Sequence, residues 1–125
     1  MRAKAFRSRQ VALLALVATL VACAASARQK QLHAAHDALE ASWTGLIRWD
    51  DAEQTRIVEE AKSLEEGRAA LAAHRARRAR VVDALTLATD AYNLAVKDPS
   101  PALVAEALFL VKRVYDEVRK LGGIP

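Results

Sequence analysis

The side chains that have chemistry to offer fall into three small groups. Cys23 is the only thiol, and it ends the run Leu20-Val21-Ala22-Cys23. With no second cysteine there is no intramolecular disulfide to form, so the thiol acts either as a lone nucleophile or as a small apolar side chain. His33, His36 and Asp37 recur at i, i+3 and i+4 on one helix face, where imidazole and carboxylate groups can converge on a metal. A helical hairpin would bring Asp90 towards His36. However, the sequence has neither a Glu-x-x-His pair on two helices nor a His-Glu-x-x-His motif. His33, His36 and Asp90 are therefore the candidate residues of an alternative, a ligand or metal carrier, while the plainer reading is a solvated helix start with no metal and no cofactor. The third group is Arg75, Arg77, Arg78 and Arg80, a cation cluster suited either to carboxylates of its own chain or to an anionic polymer or head group.

No catalytic constellation is legible. A Gly-rich phosphate loop, a Gly-x-Ser-x-Gly elbow and a cysteine–histidine pair are all missing from the sequence, and the doublets Asp50-Asp51, Glu59-Glu60 and Glu65-Glu66 read as helix faces and caps. The chain is not expected to be an enzyme. Trp43, Trp49, Tyr92 and Tyr115 are placed as core or anchor residues.

Net charge misleads if taken whole. The formal +4 suggests a partner of opposite charge, but Arg2, Lys4, Arg7 and Arg9 supply all of it. Of the nineteen Lys and Arg, fifteen remain from Cys23 onward against fifteen Asp and Glu. Nucleic acid is therefore not the expected partner.

The N-terminal elements read as an address. Four basic residues precede an apolar run from Val11 to Ala22, the layout of a secretory signal. Even extended through Ala27 the run is short against the roughly 20 apolar residues that a spanning helix needs. Leu20-Val21-Ala22-Cys23 resembles the lipobox of bacterial lipoprotein signals, position by position. That resemblance covers residues 1–23 and implies cleavage before Cys23, a thioether-linked diacylglycerol on its sulfur, and tethering at the periplasmic face of the cell envelope. Because Ala24 is not the aspartate that retains many such proteins in the inner membrane, it also implies the outer membrane where the host has one. Small helical lipoproteins of this kind include bacteriophage lysis proteins such as the outer-membrane spanin subunits, although no motif here selects them. Three alternatives stay open. Ala25-Ser26-Ala27 fits an ordinary cleavage site that would release a soluble periplasmic protein, an uncleaved segment would act as a signal anchor, and a cytosolic protein would bury the apolar N-terminal helix in its core.

Residues 28–125 then form one small domain, expected to be all-α because Ala and Leu abound, Gly is scarce and no alternating strand pattern occurs. A first helix from about Arg28 carries Leu32, Ala35, Leu39, Trp43 and Leu46 on one face. Gly45 and Trp49-Asp50-Asp51 are expected to kink or break it, with Asp51 and Gln54 capping a restart that carries Ile57, Val58, Ala61 and Leu64. Ser63-Leu64-Glu65-Glu66 is a capping box that opens the second helix. Leu71, Arg78, Leu85 and Tyr92, with His74, Val81, Ala88 and Ala95, keep one coiled-coil-like seam to about Lys97. Ser100-Pro101 opens a third helix, lined by Val104, Ala107, Leu108, Val111, Val114, Tyr115, Val118 and Leu121 and closed by Gly122-Gly123.

The expected architecture is thus an antiparallel three-helix bundle, or a four-helix one if the kink is a break, following a signal helix. Folding back at residue 63 sets the acidic stretch 37–66 against the five arginines of 67–80. In that register Arg75 lies beside Asp51, Arg77 near Trp49 and Arg78 near Arg48 or its neighbours. Expected ion pairs join Arg75 to Asp50, Asp51 or Glu53, with an arginine stacked over Trp49. The functional expectation is a structural or protein-interaction role at the envelope. The alternative is a binding module for an anionic ligand through Arg75–Arg80.

Overall fold

A computed structural model describes residues 2–125, with side chains from residue 10 onward. The side chains of Arg2, Lys4, Arg7 and Arg9 lie outside the described residues. Three helices, α1 (Arg2–Glu60), α2 (Leu64–Lys97) and α3 (Pro101–Lys120), account for the described secondary structure, and no strand occurs among the described residues. The chain divides into two compact units, Met1–Gln31 and Leu32–Pro125. The helix start expected at about Arg28 does not occur, because α1 is continuous through residues 23–31, with no proline or glycine there to end it.

Among the described residues of the first unit the large apolar side chains are exposed. Val11, Leu13, Leu14, Leu16, Val17, Leu20 and Val21 are all more than half exposed. Thr19 donates its hydroxyl to the Ala15 carbonyl at 2.8 Å, which satisfies within the helix the one hydroxyl inside this run. Because α1 continues past the apolar run, this helix passes as a membrane span by length and composition alone, with a mean hydropathy of 2.1 over an 18-residue stretch of which none is buried, a pattern that a signal sequence near an N-terminus shares.

In the second unit the three helices share a core. Ala35, Leu39, Leu46 and Trp49 come from α1, Val81, Leu85 and Ala88 from α2, and Val111, Val114 and Val118 from α3. A smaller cluster of Ala95, Val104 and Ala107 closes the end near the α2–α3 turn. The seven-residue seam of α2 holds in part: His74, Val81, Ala88 and Ala95 are buried together with Leu85, whereas Leu71 and Tyr92 are half-buried and Arg78 is exposed. Helix boundaries follow their local signals. Ser63 accepts from the Glu66 N–H at 3.1 Å, and Ser100 caps α3 with Pro101 at its first position. At the far end Gly122 takes φ 85°. Its N–H bonds to Arg119 O and that of Gly123 to Val118 O, the paired closure that a left-handed glycine permits.

The expected break in α1 does not occur. Residues 45–51 are helical, Gln54 donates to the Asp50 carboxylate at 2.9 Å, and the Asp51 carbonyl accepts from the Thr55 hydroxyl instead of Asp51 capping a new start. Gly45 serves a different purpose. A Cβ there would come within 2.9 Å of Ile124, Gly123 and Val118, so the missing side chain is what lets the C-terminal turn lie against α1. Val58 and Leu64, placed on the apolar face from sequence, are exposed, and Ile57 alone of that set is buried. Gly123→Ala would set its Cβ on the Gly45 carbonyl. It is expected to cost about 2 kcal/mol in chemical denaturation, in the range for overpacked sites, whereas Gly67→Ala, which meets only the Ala61 methyl at 3.3 Å, should be far milder.

Candidate functional site

Cys23, the candidate modification site, lies exposed in the first unit, as an enzyme acting on its thiol requires. The other candidates belong to the second unit, where they separate into a paired cluster and a set of free cations.

The paired cluster is centred on Asp50. α2 turns His74 towards α1 because His74 sits on the buried seam, and its Nε2 lies 2.7 Å from Asp50 Oδ1. Arg78, one turn further along α2, reaches Asp50 Oδ2 with its Nε at 2.8 Å. The His74 ring also packs on Trp49, with centroids 4.8 Å apart. A carboxylate only accepts, so a neutral His74 carries its proton on Nε2 and leaves the lone pair on Nδ1, which is buried without a hydrogen-bond partner. Burial pushes the Asp50 carboxyl up. The hydrogen bonds from His74 and Gln54 and the positive charge of Arg78 outweigh that effect and hold it below the usual aspartate value.

This geometry corrects the expected arginine pairing. Arg78, not Arg75, meets the acid, and His74, not an arginine, covers Trp49. Successive helical residues diverge by about 100°, so Arg75 points away from the face that His74 and Arg78 share. Arg75, Arg77 and Arg80 are exposed and form no ion pair among the described residues. Arg77 acts only at longer range, its charge helping Arg56 to lower the Glu53 carboxyl against the upward push of burial, with the Arg56 hydrogen bond the largest cause. Arg56 itself takes Glu53 and Glu60, each at 2.6 Å.

The histidine group is also rearranged. His36 packs on Tyr92, with ring centroids 5.9 Å apart, and both line a groove of about 240 Å³ with Leu39, Glu40, Trp43, Thr89 and Asn93. Asp90, two residues from Tyr92, projects from nearly the opposite side of α2 and is exposed. The donors that do converge are His36, Asp37 and Glu40, whose ligand atoms lie within 4.8 Å of one another on the solvent side. His33 approaches Asp37 at 3.8 Å. Trp43 donates its indole N–H to the Thr89 hydroxyl at 3.2 Å, which fixes the groove floor.

The sequence reading missed the Asp50–His74 pair, although its signal was present. A histidine on a buried heptad seam needs a polar partner on the facing helix. Comparison with protein families, with curated proteins and with solved structures gives no match.

Proposed function

We propose that the chain is a membrane-tethered lipoprotein of the bacterial cell envelope, with a structural or protein-interaction role and no catalytic one. In this reading residues 1–22 are the signal, Cys23 is the lipidated residue, residues 23–27 are a short tether, and residues 28–125 are an antiparallel three-helix bundle. The observation that carries it is the apolar run ending at the exposed Cys23 in a lipobox, its leucines and valines left uncovered by the protein. One acyl chain binds a membrane only marginally, at about 0.8 kcal/mol per buried CH₂, while two or more hold a protein in place. Expressed in a Gram-negative host, the protein is expected in the membrane fraction, and Cys23→Ser is expected to accumulate as full-length precursor. A soluble product beginning at Arg28 would contradict the tether.

The second reading, an anionic-polymer surface, draws on the exposure of Arg75, Arg77 and Arg80, three cations left over once Arg78 is paired. Replacing these three with Ala should leave stability within about 0.5 kcal/mol, as surface changes do. On this reading, binding of the full chain in neutral detergent to inorganic polyphosphate should fall and its salt dependence should become shallower. Binding unchanged by the triple substitution would remove this reading.

A further inference from the structure

One face of the second unit combines exposed apolar side chains with charges that its own chain does not pair. On α3, Glu106, Leu110, Arg113 and Glu117 recur at spacings of four, three and four as a single stripe along the edge of the shared core, the three charged residues exposed and Leu110 half-buried against the core. Phe109 stands beside this stripe, 65% exposed. From α2, Leu87 and Leu94, two turns apart, are 58% and 50% exposed. Leu87, Leu110, Arg113 and Glu117 border one shallow depression of about 250 Å³. None of Glu106, Arg113 and Glu117 makes an ion pair among the described residues, although Arg113 and Glu117 stand one turn apart. The neighbouring Lys112 and Asp116, at the same spacing, do pair at 2.8 Å.

We propose that this face is closed by the same face of a second copy of the chain, with α3 packed antiparallel on α3 about a two-fold axis between Phe109 and Leu110. In that register Phe109 of each copy lies level with Leu110 of the other, and Leu87 and Leu94 flank the seam. Glu106 then faces Arg113 of the second copy, and by the symmetry Arg113 faces Glu106, so one arrangement makes this pair twice and uses two of the three free charges. A parallel arrangement would set Glu106 against Glu106 and Arg113 against Arg113. This self-complementarity is what singles out a second copy as the occupant. The inference stands apart from the lipid anchor.

The test uses the full chain in membranes with Cys23→Ser, so that an introduced cysteine is the sole thiol. Leu110→Cys is expected to give a dimer with a short bismaleimide, while Lys112→Cys, on another side of α3, is not. Glu106→Arg or Arg113→Glu, added singly to Leu110→Cys, should each reduce the dimer at least tenfold by setting like charges opposite. Co-expressing these two variants with tags of different size should restore cross-linking as the heterodimer alone. In that heterodimer the introduced arginine meets the introduced glutamate at one end of the seam, and the unaltered Arg113 meets the unaltered Glu106 at the other. Retained helical content shows that each variant folds. The proposal is overturned if Leu110→Cys gives no more dimer than Lys112→Cys, if the adduct contains a different protein, or if co-expression fails to restore it.

Discussion

Asp50→Ala is expected to lower the unfolding free energy by about 3 kcal/mol, since it strips partners from a buried histidine, an arginine and a glutamine at once. The His74 side chain is only 3% exposed, so its Nε2–H would join Nδ1 as a second unsatisfied buried group. Asp50→Asn keeps an acceptor for His74 and removes the charge that Arg78 meets, so it should cost less, about 1 kcal/mol. The sign of the pH dependence follows from the lowered Asp50 carboxyl. A depressed folded value means stability that is fully present above the ordinary aspartate range near ~4 and is lost as pH falls through the folded value. Denaturant midpoints followed by tryptophan fluorescence at pH 7 and pH 3 should therefore diverge less in Asp50→Asn than in the parent. Equal acid sensitivity in the two would remove Asp50 as the titrating group.

Leu85→Ala is expected to cost about 3 kcal/mol, within the range for truncating a fully buried leucine. Leu85 is 0% exposed and stands in the core shared by all three helices. Val58→Ala tests the converse. Its side chain is 68% exposed despite its place in an apolar sequence pattern, so stability should change by less than about 0.5 kcal/mol. Comparable losses from the two substitutions would mean that the buried face of α1 extends through residue 58.

These contrasts show where the sequence was legible. Caps were readable because they are local. Ser63, Ser100-Pro101 and Gly122-Gly123 mark their helix ends with groups that satisfy backbone atoms within a few residues. The α2 seam was readable because a period of seven fixes which residues turn inward. The continuity of α1 was not, because glycine costs a helix about 1 kcal/mol in isolation and reads as a breaker. What holds Gly45 helical is the C-terminal turn packed against it, about 75 residues on in sequence, a contact with no local trace. The arginine and histidine partners failed for a related reason. An antiparallel register read from charge is accurate to a residue or two, and a single residue turns a side chain by about 100°. The register at Asp50 was right, since its partners His74 and Arg78 bracket the expected position, but charge does not tell which side of α2 faces α1, and that put Arg75 in place of Arg78 and left Asp90 facing away from His36.

The Cys23 address, in contrast, depends on a short contiguous pattern that needs no tertiary contact to be recognised. The measurement that bears on it most directly is the mass of the N-terminal peptide of the membrane-bound protein from a Gram-negative host. The account predicts a peptide that begins at Cys23 and carries the added mass of a thioether-linked diacylglycerol. A peptide beginning at Arg28, or an unmodified Cys23 within an uncleaved N-terminal segment, would contradict it.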